Sequence, residues 1–190
     1  MSESTTTTQA PSATSVIRPS MLRGIFSDVV QEFFFSYGLD CAPRADGELE
    51  ASEADTELGS MIAIRGGDRH GSLAFVASMG LVASMLPVST QAELLEMQQR
   101  DWCLEMANQL LGRLKNKLAA YELAFDIGSP VCFSGKCIRL VFQPGAGVAL
   151  SFTVASQHFR GYLDWSIEGD ASPVTSGRIR IAAEGEIYLF

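Results

Sequence analysis

The sequence has only two histidines, His70 and His158, and its four cysteines (Cys41, Cys103, Cys132 and Cys137) form no C-x-x-C pair. Both scarcities argue against a zinc site, which needs closely spaced thiolate and imidazole ligands. Each histidine falls near a turn and reads as an ordinary surface or loop residue. There is no G-x-x-x-x-G-K-[ST] loop to cradle a phosphate chain and no G-x-S-x-G elbow to present a serine nucleophile. No apolar run is as long as a membrane span; the richest, Leu73 to Leu86, is broken by Ser78, Gly80 and Ser84. No basic stretch followed by an apolar run marks a secretory signal. Positive charge is also short, with 14 Lys and Arg against 22 Asp and Glu and a net charge of −8. Such a chain is repelled by phosphate backbones, which argues against nucleic acid as its main ligand.

What remains is the composition of a soluble, cytoplasmic globular protein. The 190 residues are 47% hydrophobic and 19% charged, enough for one domain with a real core. The cysteines are expected to be reduced. Cys103 falls on the apolar face of a helix, and Cys132 and Cys137 sit in a hairpin as candidate neighbours.

Residues 1–19 are rich in Ser and Thr, with Pro11 and Pro19, and read as a disordered leader to a single domain over 20–190. A first helix is expected from about Ser20 to Tyr37, with Met21, Leu22, Ile25, Phe26, Val29, Val30, Phe33 and Phe34 near a 3.6 period and Gly38 as its stop. The acids from Asp46 through Glu57 suggest a solvated strand pair or a mobile loop. Met61–Arg65 and Gly71–Val76 read as strands about a turn at Gly66-Gly67-Asp68. Ala77–Leu86 reads as a short helix ended by Pro87. The longest helix is expected from about Thr90 to Tyr121. Strands follow near Phe125–Phe133, Cys137–Gln143, Val148–Ala155 and Phe159–Glu168, with a turn at Gln143–Gly147 and a last hairpin around Glu184-Gly185. The class is α+β, with a long helix packed on a sheet.

Two features suggest an internal duplication. Asp28-x3-Glu32-x2-Phe35 on the first helix parallels Asp101-x3-Glu105-x2-Asn108 on the long one. The strands Gly71–Ser78 and Gly147–Ser156 follow at nearly the same offset. The fold is then a pseudo-twofold of helix-plus-antiparallel-strand units.

At 100° per residue, Asp101, Glu105, Asn108, Gly112 and Lys115 fall within an arc of about 80°. Trp102, Cys103, Leu104, Met106, Ala107, Leu110, Leu111, Leu114 and Leu118 are expected in the opposite wide arc, so one face is buried and a narrow acid-amide stripe faces water. Asn and Gly are both poor helix formers, and Gly costs about 1 kcal/mol relative to Ala. A stripe holding both is either a surface for a partner or an incidental solvated face, and the pattern alone leaves both open.

The run Asp101-x3-Glu105-x2-Asn108, followed by Pro130, resembles the signature of the CheC, CheX and FliY phosphatases of bacterial chemotaxis, over about residues 20–170. Gly112 and Lys115-Asn116-Lys117-Leu118 resemble that family's helix end. Because Phe35 stands where a second site needs Asn, the chain resembles CheX most. The resemblance implies a hydrolase acting on the phospho-aspartate of a CheY-type response regulator. Asn108 would position the hydrolytic water and Glu105 would anchor a receiver lysine. Asp101, Gly112 and Lys115 would belong to the same contact. It implies no metal or cofactor bound by this chain, Mg²⁺ being held by the partner receiver, and a homodimer joined through sheets. The alternative within the same fold class is a non-catalytic module that binds a response regulator or resembles the motor switch.

Overall fold

Helix α1, Pro19–Phe35, begins with a proline, whose fixed φ and missing N–H suit a first helical turn. The computed structural model describes residues 19–45, 56–66, 69–86, 92–121, 123–141, 147–165, 181–182 and 186–188. The apolar stripe of α1, Leu22 through Phe34, is buried as its period requires. Gly38 closes the helix at φ 72°. Its N–H donates to Phe35 O, and the Leu39 N–H donates to Phe34 O at 3.1 Å. This double bond satisfies the last carbonyls and needs the left-handed backbone that glycine adopts freely. The helix therefore stops two residues before the expected Tyr37, which sits in the turn beside the next helix layer.

The remaining elements are β1 (Cys41–Pro43), β2 (Thr56–Gly66), β3 (Arg69–Ser78), α2 (Met79–Ser84), α3 (Ala92–Ala119), β4 (Asp126–Ile127), β5 (Val131–Lys136), β6 (Arg139–Val141), β7 (Gly147–Val154), β8 (Gln157–Trp165), β9 (Ile181–Ala182) and β10 (Glu186–Tyr188). Seven strands form an antiparallel sheet in the order β1-β7-β8-β3-β2-β4, with β5 also paired to β2. The order is nearly symmetric about the β8/β3 seam. Hairpin β2–β3 mirrors hairpin β7–β8. Each outer flank is supplied by the other half: β1 lies beyond β7, while β4 and β5 lie beyond β2. This exchange of edges is the duplication that the sequence hinted at.

One face of the sheet carries Leu58, Ile62, Leu73, Phe75, Phe152 and Phe159, which pack with α1 and α3 in one core. Gly161 lies on this face beside the Phe26 ring; a Cβ there would come within 2.9 Å of Phe26 Cζ. Its missing side chain lets α1 settle onto the sheet. Burying each such Phe or Leu contributes about 1.5–3 kcal/mol. The other face carries Ala74, Val76 and Tyr162, which pack with Ile138 and Leu140. Strand β6, which bears Leu140, forms a second three-stranded sheet with β10 and β9. The expected final hairpin is present as the antiparallel pair β9–β10.

Several expectations need correction. The expected Phe125–Phe133 strand is two short strands, β4 and β5, both paired to β2. Pro130 lies in the break and lacks a ladder donor. Pro19, expected at the end of the leader, is instead the first residue of α1, and the rest of the leader, residues 1–18, lies outside the described residues with the acids at 46–55 and the turn at 143–146. The last residue of the acidic run is not solvated: Glu57 stands in β2 at 1% exposure. It accepts hydrogen bonds from Arg160 on β8 and from the Ile138 N–H at 2.7 Å. His158 Nε2 lies 2.8 Å from the same carboxylate, so it is a partly buried strand residue rather than a loop histidine. A buried carboxylate is tolerable only with such partners. Burial acts to raise the Glu57 pKa, but the His158 bond, the Arg160 charge and the Ile138 N–H outweigh it and hold the group below its ordinary value. Finally, Cys132 does not partner Cys137; its side chain meets Cys103.

Candidate functional site

Helix α3 presents the site. Its inner arc, Cys103, Met106, Ala107, Leu110, Leu111, Leu114 and Leu118, is fully buried. That packing fixes the helix rotation, so the opposite arc must face outward. Asp101, Glu105 and Asn108 are all exposed. Glu105 and Asn108 are one turn apart and therefore adjacent on the helix surface. The Asn108 side chain makes no hydrogen bond with another described residue, so its amide keeps both donor and acceptor capacity for an incoming group.

Glu105 is braced from the side. The Gln109 Nε2 donates to Glu105 Oε1 at 2.8 Å, and the Tyr37 hydroxyl donates to Gln109 Oε1 at 2.9 Å. Tyr37 in turn packs edge-on against Trp102, with ring centroids 5.5 Å apart. The carboxylate is thereby oriented by a chain of contacts running from α3 to the turn after α1. Tyr37 and Gln109 are the residues that motif reasoning missed. The i, i+4 spacing of Glu105 and Gln109 was a usable signal, but no local pattern reveals Tyr37, which is 72 residues away from Gln109.

Gly112 continues the stripe and is partly exposed. A Cβ built there meets nothing within 4 Å, so the chain's own packing does not explain the glycine. Lys115 is also partly exposed, and its ammonium lies 5.7 Å from the centroid of the Phe125 ring, a cation–π contact directed toward the strand side. It therefore lies at the margin of the stripe. Pro130 precedes β5, the sheet-edge strand packed beneath α3.

The α1 counterpart has the same display. Asp28, Glu32 and Phe35 are exposed, Phe35 at 81%. The two helices run side by side in opposite directions, joined by Lys117 to Glu32 at 2.7 Å and Arg113 to the Ser36 Oγ at 3.0 Å. Among the described residues no group of His, Cys, Asp or Glu is placed to hold a metal ion, and no helix is long and apolar enough to cross a membrane.

Two antiparallel helices on an antiparallel sheet with exchanged edges define an α+β domain of the CheC/CheX fold. No protein-family model matches the chain, and no curated protein matches it. Solved structures do. The chain is similar to the chemotaxis protein CheX from Vibrio vulnificus, with TM-score 0.61 and 18% identity over 79% of this chain and 99% of that one. A CheC-like superfamily protein from Shewanella sp. PV-4 matches with TM-score 0.61 and 18% identity over 76% and 97%. CheX in a CheX–CheY–BeF3–Mg²⁺ complex from Borrelia burgdorferi matches with TM-score 0.53 and 11% identity over 80% and 99%. Within the fold class, then, the chain is CheX-like in architecture.

Proposed function

We propose that this chain is a CheX-type phosphatase of the cytoplasm that hydrolyses the phospho-aspartate of a CheY-type response regulator. The observation that carries the reading is the outward display of Glu105 and Asn108, one turn apart on a helix whose opposite face is fully buried. A CheX of this fold exists as a complex with CheY, BeF3 and Mg²⁺, which supports a receiver as the partner.

The chemistry follows from what a phosphorylated receiver lacks. Phosphoryl transfer to water depends on positioning and charge stabilisation rather than on covalent help. The receiver's own Mg²⁺ supplies charge stabilisation, so the missing element is a water held in line with the scissile P–O bond. The Asn108 amide can accept from and donate to that water and adds no negative charge beside the phosphoryl group. A carboxylate in its place would repel both. Glu105, braced by Gln109, offers its second oxygen to a receiver lysine, and a desolvated contact of that kind contributes a few kcal/mol. Asp101, Gly112 and Lys115 form the rim of the same footprint. No cofactor of this chain enters the scheme. Association of two copies through a sheet edge belongs to the same proposal, with the outer sides of β1 and β5 as candidate seams.

The test is phosphate release from candidate phosphorylated receivers, with wild type beside Asn108→Ala. Stimulated release by wild type and none by the variant supports the phosphatase. Binding to the phosphorylated receiver without stimulated release by either protein would favour the non-catalytic module.

A further inference from the structure

Cys103 and Cys132 are brought together by the fold from elements that are far apart in sequence. In β2, Leu58 and Ile62 face the helices, and Ser60 shares their side of the strand. Cys132 of β5 stands directly opposite Ser60 in the antiparallel ladder, so it points to the same face. It packs against the core cluster to which Cys103 belongs, from the buried arc of α3. The two thiols interact side chain to side chain, and all four cysteines of the chain are free. The pair is also unequal. Cys103 is fully buried, whereas Cys132 is partly exposed at the sheet edge. The contact with Cys103 lowers the Cys132 pKa against the opposing effects of burial and the Asp101 charge, with help from the Arg100 charge, and the Cys132 thiol also donates to the Phe133 carbonyl oxygen at 4.0 Å. The contact between the two thiols raises the Cys103 pKa.

We propose that Cys103 and Cys132 form an oxidation site, a dithiol that a hydroperoxide converts into a disulfide fastening α3 to β5. Cys132, the more accessible of the two thiols, loses its proton and attacks the peroxide oxygen. Two electrons pass from its sulfur to the O–O bond, which breaks and releases an alcohol or water, leaving a sulfenic acid on Cys132. The Cys103 sulfur then attacks Cys132. The S–S bond forms, the S–O bond breaks, and water leaves with the Cys103 proton. A relaxed disulfide holds its sulfurs at about 2.05 Å, closer than two thiols in non-bonded contact, so oxidation draws α3 and β5 together. Cys103 is two residues from Glu105, and the crosslink therefore acts on the helix that presents the stripe. The site itself does not depend on the phosphatase reading.

The experiment treats the full reduced chain with hydrogen peroxide, alkylates the remaining thiols and maps peptides without reduction. A peptide pair joined through Cys103 and Cys132 is expected, with an intact mass lower by about 2 Da that a dithiol reductant restores. Cys132→Ser is expected to abolish the crosslink, and Cys137→Ser and Cys41→Ser to leave it unchanged. Cys103→Ala, which keeps a small apolar group in the core, is expected to leave Cys132 as a sulfenic or sulfinic acid. The proposal is overturned if Cys103 and Cys132 remain free in the oxidised wild-type chain, if Cys41 or Cys137 oxidises first, or if either forms the disulfide instead.

Discussion

Lys117 of α3 donates to the Glu32 carboxylate of α1 at 2.7 Å, and this contact makes the two similar helical stripes unequal. Glu32 and Glu105 hold equivalent places in their stripes. Among the described residues Glu105 meets only the neutral Gln109 amide and keeps its charge for a partner, whereas Glu32 is already paired with a cation of the same chain. Phe35 then replaces the amide altogether. In an Asn108→Ala background, Phe35→Asn is therefore expected not to restore activity, because Lys117 competes with any receiver lysine for Glu32. A phosphate-release assay of the double variant decides this, and recovered activity would show that the amide alone makes a site.

Asn108 is expected to govern turnover rather than binding. Replacing it with Ala removes the positioning of one water, a change worth about 10²-fold in rate. Asn108→Asp should be no better, since a carboxylate beside a phosphoryl group repels the nucleophile. Affinity for the phosphorylated receiver should stay close to wild type in the Ala variant. Rate and affinity measured on the same preparations separate the two effects, and a wild-type rate in Asn108→Ala removes the residue from the mechanism.

The Tyr37–Gln109–Glu105 chain predicts a milder phenotype. Tyr37→Phe keeps the ring against Trp102 and deletes only the hydroxyl that holds Gln109. A partly exposed hydrogen bond of this kind contributes about 0.5–1.5 kcal/mol, or roughly 2–10-fold in an equilibrium constant. Receiver affinity is expected to fall by no more than that range, with at most a comparably small loss of thermal stability. If titration shows unchanged affinity, Glu105 does not need the brace.

Glu57 gives the chain an acid limit. Its folded pKa lies below the ordinary 4.5. The unfolded state then takes up the proton first as pH falls. The stability that Glu57 contributes is full above its unfolded value and is lost as pH drops through the folded one. Wild type should lose stability steeply below about pH 4.5, and Glu57→Gln should show a shallower slope there. At neutral pH the variant leaves Arg160 buried without its counter-charge, which costs about 3–5 kcal/mol. Denaturant unfolding across pH measures both. Equal slopes for the two proteins would remove Glu57 as the source of the acid limit.

What was legible in the sequence follows the range of the forces involved. The apolar period of α1 and α3 is local, so both helices, the buried arc and the exposed Glu105–Asn108 stripe could be read directly. The parallel between Asp28–Glu32 and Asp101–Glu105 carried the duplication, which the exchanged sheet edges display. Glu57 was misread because its acidic neighbours suggested solvent, while the arginine that neutralises it lies 103 residues away. Cys132 and Cys137 read as candidate neighbours by closeness in sequence, but the alternation of β5 turns Cys132 under α3 toward Cys103. Strand pairing set both contacts, and neither left a periodic trace.

Gly112 offers a test in which stability and function move in opposite directions. The space around it is open, and it lies inside a regular helix, so Gly112→Ala should gain about 1 kcal/mol from reduced backbone entropy in the unfolded chain. For this domain of 190 residues that is a rise in melting temperature of about 2–4 °C. If the glycine exists to let a partner's backbone approach the stripe, the added methyl group should hinder docking and weaken receiver binding despite the stabler fold. Scanning calorimetry and receiver titration on the same variant supply the two readings. A stabilised protein with undiminished affinity would mean that the receiver does not reach this turn of α3, and the footprint would then end at Asn108.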